Sequence, residues 1–138
     1  MENLLKIPYK VFNDWSILQK FLEPRGDPKY VLIGDVNLYW RLNITNLGNL
    51  VRVDGNLNTY KSSIQSLGNL EYVDGYLDLR HNPIQSLENL EYVGGYLDLR
   101  ETPIKSLGKL KYVDGRIILS SNHQIPKEQL TKFKINYI

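Results

Sequence analysis

The apolar residues of this chain keep two alternating rhythms. Ile84, Leu87, Leu90 and Val93 recur at every third position, a spacing that suits a 3₁₀-like or loosely extended run better than an α-helix or a strand. After Gly95 the rhythm becomes strict alternation over Tyr96-Leu97-Asp98-Leu99-Arg100. That pattern predicts a short strand with Leu97 and Leu99 inward and Tyr96, Asp98 and Arg100 outward. The double rhythm occurs four times in tandem, over residues 44–63, 64–83, 84–103 and 104–123, and the middle two copies agree nearly letter for letter. Self-similarity at a fixed period of twenty residues predicts a solenoid, whose units bury their apolar faces only against their neighbours.

Two kinds of corner separate the rhythms. Asp54-Gly55, Asp74-Gly75, Gly94-Gly95 and Asp114-Gly115 predict one corner with positive φ at glycine, and Asn82-Pro83 and Thr102-Pro103 predict the other. A degenerate first coil precedes the four copies, because Gly34 stands before Val36 and Leu38 as Gly55 stands before Leu57 and Thr59. Strands are therefore expected after Gly34, Gly55, Gly75, Gly95 and Gly115, five in parallel.

Both ends depart from the repeat. Residues 1–11 read as an irregular or extended lead-in, and Asn13 or Asp14 as the N-cap of a helix to about Glu23, with Trp15, Leu18, Phe21 and Leu22 at helical spacing and Pro24 ending it. At the other end Pro126 suits the first position of a helix through about Phe133, with Leu130, Phe133 and Tyr137 closing the core. The expectation is one domain: an N-terminal helical cap over 1–33, a solenoid over 34–123 and a C-terminal helical cap over 124–138. The triplet Arg25-Gly26-Asp27, followed by Pro28, reads as ordinary turn chemistry rather than as an adhesion motif.

The run Leu77-x-Leu79-x-x-Asn82-x-Ile84-x-x-Leu87 resembles the strand-and-asparagine segment of leucine-rich-repeat proteins, in a twenty-residue version covering about two thirds of the chain. Asn82 and Asn122 hold the asparagine position, whereas Ser62 and Thr102 replace it in other coils, and the apolar residue ahead of the strand moves to Val73 or Val93. The repeats also resemble those of receptor ligand-binding L domains and of small phage and bacterial repeat proteins. The resemblance implies an α/β repeat solenoid, leucine-rich-repeat-like, that binds a protein partner through its strand face without catalysis. Its phage form implies an inhibitor docked on a bacterial enzyme or defence protein in the host cytosol. A receptor-L-like recognition domain, and an enzyme or small-ligand binder, are the alternatives.

Composition narrows the remaining classes. The hydrophobic share of 42% and charged share of 23% are ordinary for a globular domain, and no apolar run is long enough to span a bilayer. No secretory leader pattern stands at the N-terminus, and the absence of cysteine agrees with a reducing compartment, so a cytoplasmic location is the expectation. The net charge of +2 is unevenly spread: residues 101–138 hold seven Lys/Arg against three Asp/Glu. That end is suited to an acidic partner.

Catalytic chemistry is hard to find. His81 and His123 occupy corners without a shared nucleophile or base, and no metal, nucleotide or calcium motif is present, so no cofactor is expected. Asp78 and Asp98 fall at equivalent strand positions, each two residues before Arg80 or Arg100, which suggests a lattice of opposite charges rather than an acid–base pair. The outward strand face is the candidate site: Tyr39, Asn58, Tyr60, Tyr76, Asp78, Arg80, Tyr96, Asp98, Arg100 and Arg116. Tyrosine and arginine are enriched where proteins bind proteins, and Tyr76 and Tyr96 are placed to stack. The acids interspersed in this face argue against nucleic acid as the partner. A second column, Tyr72, Tyr92 and Tyr112, reads as packing between corners.

Overall fold

A computed structural model describes residues 4–138. In chain order the elements are β1 (Leu5–Pro8), α1 (Trp15–Leu22), β2 (Tyr30–Ile33), β3 (Val36–Asn37), β4 (Leu50–Asp54), β5 (Leu57–Asn58), β6 (Tyr72–Val73), β7 (Leu77–Asp78), β8 (Tyr92–Val93), β9 (Leu97–Asp98), β10 (Tyr112–Val113), β11 (Ile117–Leu119), α2 (Lys127–Leu130) and β12 (Ile135–Tyr137). They form a parallel β-solenoid. Sheet A runs β1-β2-β4-β6-β8-β10 and sheet B runs β12-β11-β9-β7-β5-β3, with every pairing parallel. Five turns of the coil each place one strand in each sheet.

The coils stack in strict register: Leu57, Leu77, Leu97 and Ile117 form one column, and Val53, Val73, Val93 and Val113 another. In one repeat Ile84, Leu87, Leu90, Val93, Leu97 and Leu99 are all buried. Each such side chain contributes about 1.5–3 kcal/mol when removed from water. The third side of the coil is held by bridges from Asn46 to Ser66 and from Ser86 to Ser106.

Several expectations are corrected. The run Ile84–Val93 is not wholly 3₁₀-like, because its end, Tyr92–Val93, is a strand of a second sheet. Each sheet has six strands rather than the expected five, since β1 extends sheet A and β12 extends sheet B. The glycines Gly55, Gly75, Gly95 and Gly115 do not adopt positive φ; that conformation falls instead at Gly48, Gly68, Glu88 and Gly108 and at Trp40, Lys61, His81 and Glu101. Gly95 is required by close approach, for a Cβ there would lie 2.9 Å from the Tyr76 backbone nitrogen in the coil beneath.

The ends are closed differently than expected. Part of the lead-in is strand β1, registered on β2 from Leu5 opposite Tyr30 to Pro8 opposite Ile33; residues 1–3 of that stretch lie outside the described residues. Helix α1 forms as its pattern predicts: the Asp14 carboxylate accepts the Ile17 amide at 3.0 Å, and Trp15, Leu18 and Leu22 join the core. Because β2 already belongs to the first coil, the solenoid begins before residue 34. At the far end α2 is a single turn, Lys127–Leu130, and does not reach Phe133. The alternation of Lys134-Ile135-Asn136-Tyr137 and the open edge of β11 favour a strand, and Ile135–Tyr137 pairs with Ile117–Leu119. Leu130 is buried and Phe133 half-buried, but Tyr137 is exposed. The Arg25-Gly26-Asp27 segment is a turn with φ of 81° at Gly26 and 46° at Asp27, and Arg25 is tied back to the Phe21 carbonyl at 2.7 Å.

Candidate binding face

The outward side of sheet B is ordered into columns by the coil register. The first holds Asp35, Asn56, Tyr76, Tyr96 and Arg116, the second Asn37, Asn58, Asp78, Asp98 and Ile118, and the third Tyr39, Tyr60, Arg80, Arg100 and Ser120. In the first column Tyr76 and Tyr96 stack with ring centroids 4.8 Å apart and planes within 2°. Asn56 seats this stack, its Oδ1 accepting the Tyr76 amide at 2.9 Å.

The second column and the arginines beside it form the expected lattice of opposite charges, but the acids lie deeper than an outward strand position implies. Asp78 and Asp98 are buried, each 2% exposed. Their carboxylates fold back onto the chain and accept the backbone amides of Arg80 (3.1 Å) and Arg100 (3.2 Å), as Asn58 accepts that of Tyr60 (2.9 Å). This side-chain mimicry of a turn ends each strand. Arg80 then closes over Asp78 with Nη2 at 2.8 Å from Oδ2 and reaches Asp98 at 3.5 Å, while Arg100 clasps Asp98 at 2.6 Å. The hydrogen bond to Asp78 raises the Arg80 pKa, and that to Asp98 raises the Arg100 pKa. Both carboxylates are thus taken up by turn amides and guanidinium groups.

Beside the third column the chain turns through residues of positive φ: Trp40 (63°), Lys61 (53°), His81 (61°) and Glu101 (56°). There the side chains form a ridge. Trp40 meets Tyr60 edge-on at 6.3 Å, and Tyr60 meets His81 edge-on at 5.6 Å. The Lys61 ammonium lies 4.8 Å from the Trp40 ring centre, and the Arg80 guanidinium 4.5 Å from that of Tyr60. Tyr39, Trp40 and Leu42 are 48%, 55% and 68% exposed, so the first coil presents an apolar, aromatic surface bordered by cations.

Of the residues expected in the face, Tyr39, Tyr60, Tyr76, Arg80, Tyr96, Arg100 and Arg116 do contribute to its surface, Asn58 serves the backbone, and Asp78 and Asp98 lie beneath. Trp40, Leu42, Lys61 and His81 were not anticipated. Their signal was the position itself, one or more residues past the last outward residue of each strand. His123 is half-buried at its corner: its Nδ1 accepts the Ile125 amide at 3.1 Å and its ring lies 5.7 Å from that of Tyr137.

Surface depressions elsewhere are open and shallow. One, about 520 Å³, is lined by Gln65, Pro83, Gln85, Ser86 and Glu88. Among the described residues no cluster of three or more His, Asp or Glu is placed to hold a metal, and no helix is long and apolar enough to cross a membrane. No family model, curated protein or solved structure matches the chain.

Proposed function

We propose that this solenoid is a non-enzymatic protein-binding module whose contact surface is the outward face of sheet B together with the ridge at Trp40, Tyr60 and His81. The observation that carries this reading is Trp40. A bulky aromatic residue held at a φ of 63° with more than half its surface in water serves neither backbone nor core. Positive φ at such a residue costs about 1–2 kcal/mol, which glycine would avoid. Exposed Trp, Tyr and Arg in one patch are the composition of binding hot spots. The partner that fits has an apolar centre and an acidic rim near Lys61 and Arg116, because Asp78 and Asp98 in the middle of the face are buried, while the exposed acids Asp35 and Glu101 lie at its edges. The leucine-rich-repeat resemblance supports the same use of a strand face, and inhibition of a bacterial enzyme by a phage form of the module is its specific version.

Affinity capture from bacterial lysate, with and without phage infection, tests the reading by comparing the native chain with Trp40→Gly. The variant is expected to melt at the same temperature or higher and to lose a stoichiometric protein that the native chain retains. Equal capture by both would overturn the assignment of the face.

A further inference from the structure

Sheet A ends in an unfinished ladder. Between coils four and five the Glu91 carbonyl accepts the amides of Lys111 (3.0 Å) and Tyr112 (3.1 Å), and the Val93 carbonyl accepts that of Asp114 (2.9 Å). Register places Val113 opposite Val93, and the alternation of a parallel ladder turns the N–H and C=O of Val113 toward whatever follows. No strand follows. The four repeats take eight residues from their last leucine to the inner residue of sheet B, from Leu50–Leu57 to Leu110–Ile117, whereas the final coil takes six, from Leu130 to Ile135. The shortcut leaves a groove of about 300 Å³ between residues 111–114 and residues 132–134.

The groove has a definite chemistry. Lys111, Lys132 and Lys134 stand around it, and its one acid, Asp114, is engaged by the Tyr112 hydroxyl at 2.8 Å. Tyr72, Tyr92 and Tyr112 stack at 4.2 and 5.2 Å, which leaves the outer face of Tyr112 uncovered and its side chain half exposed. The column Glu71, Glu91, Lys111 ends on a cation, whose ammonium already lies 2.7 Å from Glu91.

We propose that this groove takes an extended, acidic peptide segment of a protein partner, added to sheet A as a seventh parallel strand. A tyrosine of the segment stacks on Tyr112, an aliphatic residue after it sits over Val113 and Phe133, and its carboxylates meet the three lysines. The partner's main chain takes up the free N–H and C=O of Val113. Strand addition of this kind draws affinity from the main chain and selectivity from alternate side chains. The site is separate from the sheet B face and stands or falls independently of it.

The probe is a synthetic heptapeptide, Asn-Leu-Glu-Tyr-Val-Asp-Gly, titrated into the ¹⁵N-labelled full chain and followed by amide chemical shifts. Saturable shifts centred on Tyr112, Val113 and Phe133 are expected, with none from a peptide whose two acids are replaced by lysine. Val113→Pro removes the free donor and leaves the ladder to β8 intact, so it should weaken binding about threefold to tenfold. Should that variant unfold, Lys132→Glu/Lys134→Glu replaces it and should abolish the shifts. The proposal is overturned by no saturable shift at millimolar peptide, by an equal response to the lysine peptide, or by shifts centred on Tyr39–Leu42. The same shifts on concentrating the protein alone would assign the groove to a second copy and overturn it equally.

Discussion

Asn82→Ala isolates the cost of a corner. Asn82 is 1% exposed, and its Nδ2 donates to the Thr59 carbonyl (2.6 Å), the Thr59 hydroxyl (3.2 Å) and the Leu79 carbonyl (3.1 Å), while its Oδ1 accepts the Ile64 amide (3.0 Å). Both carbonyls keep a second donor, the backbone amides of Ser62 and Asn82 at 3.1 and 3.2 Å. Among the described residues the Ile64 amide has no other partner. Truncation therefore orphans one buried donor, at about 1–3 kcal/mol, and removes two shared bonds of about 0.5–1.5 kcal/mol each, or about 3 kcal/mol together. An unfolding entropy of about 2.1 cal/mol/K per residue gives about 290 cal/mol/K for this chain, so the melting temperature should fall by about 10 °C. Thermal and urea unfolding followed by circular dichroism measure it. Asn122 occupies the same corner of a later coil but is exposed, and Asn122→Ala should stay within about 0.5 kcal/mol of the native chain. A drop of less than about 3 °C for Asn82→Ala, or equal losses for both variants, would refute the reasoning.

Two further perturbations test the core and the stack. Burial raises the Tyr30 phenol from 10.0 to about 12, against the opposing hydrogen bond from Gln19. The folded state thus holds this proton longer than the unfolded state; stability is full below pH 10 and falls as pH rises through 10 to 12, by about 2.7 kcal/mol at most. Tyr30→Phe should flatten that alkaline limb in urea unfolding across pH 9–12, and an unchanged limb would exclude Tyr30 as its source. Gly94→Asp restores the residue that Asp54, Asp74 and Asp114 place in the same column, yet a Cβ there would lie 1.9 Å from the Asp74 carbonyl oxygen. A loss of about 1–3 kcal/mol is expected, and a variant as stable as the native chain would contradict the geometry.

The solenoid was legible because its inner columns are nearly identical letters: Ile64, Ile84 and Ile104, or Leu67, Leu87 and Leu107, announce both period and core. Sheet A was not, because strands as short as Tyr72–Val73 contain no alternation for a period of two to register. Asp78 and Asp98 were placed correctly along the chain but at the wrong depth. An acid whose oxygen bonds the amide two residues on is drawn flat against its strand, and the arginine and the neighbouring coil then cover it. Trp40, Lys61 and Glu101 escaped notice, and His81 was read as a corner residue but not as part of the face, for the opposite reason: a left-handed corner is ordinarily signalled by glycine or asparagine, and none of the four positions carries either. The recurring glycines Gly55, Gly75, Gly95 and Gly115 marked close coil packing instead.

The two surfaces follow from the same division between inner and outer columns. Inner residues answer to the coils above and below and repeat; outer residues are less constrained, so the third column passes from Tyr39 and Tyr60 to Arg80 and Arg100, the two arginines being the ones that cover buried acids. Solenoid stability is a sum of coil and nearest-neighbour terms, and a change confined to one end is felt mainly by the adjoining coil. The ridge at Trp40 lies on the first coil and the groove at Val113 on the fifth, separated by four inter-coil steps of about 4.8 Å, or about 20 Å. Substitutions at the two sites share no partner, and their effects on stability should add. A partner that engages both must therefore run along the stack, and its avidity would come from span rather than from any coupling through the core.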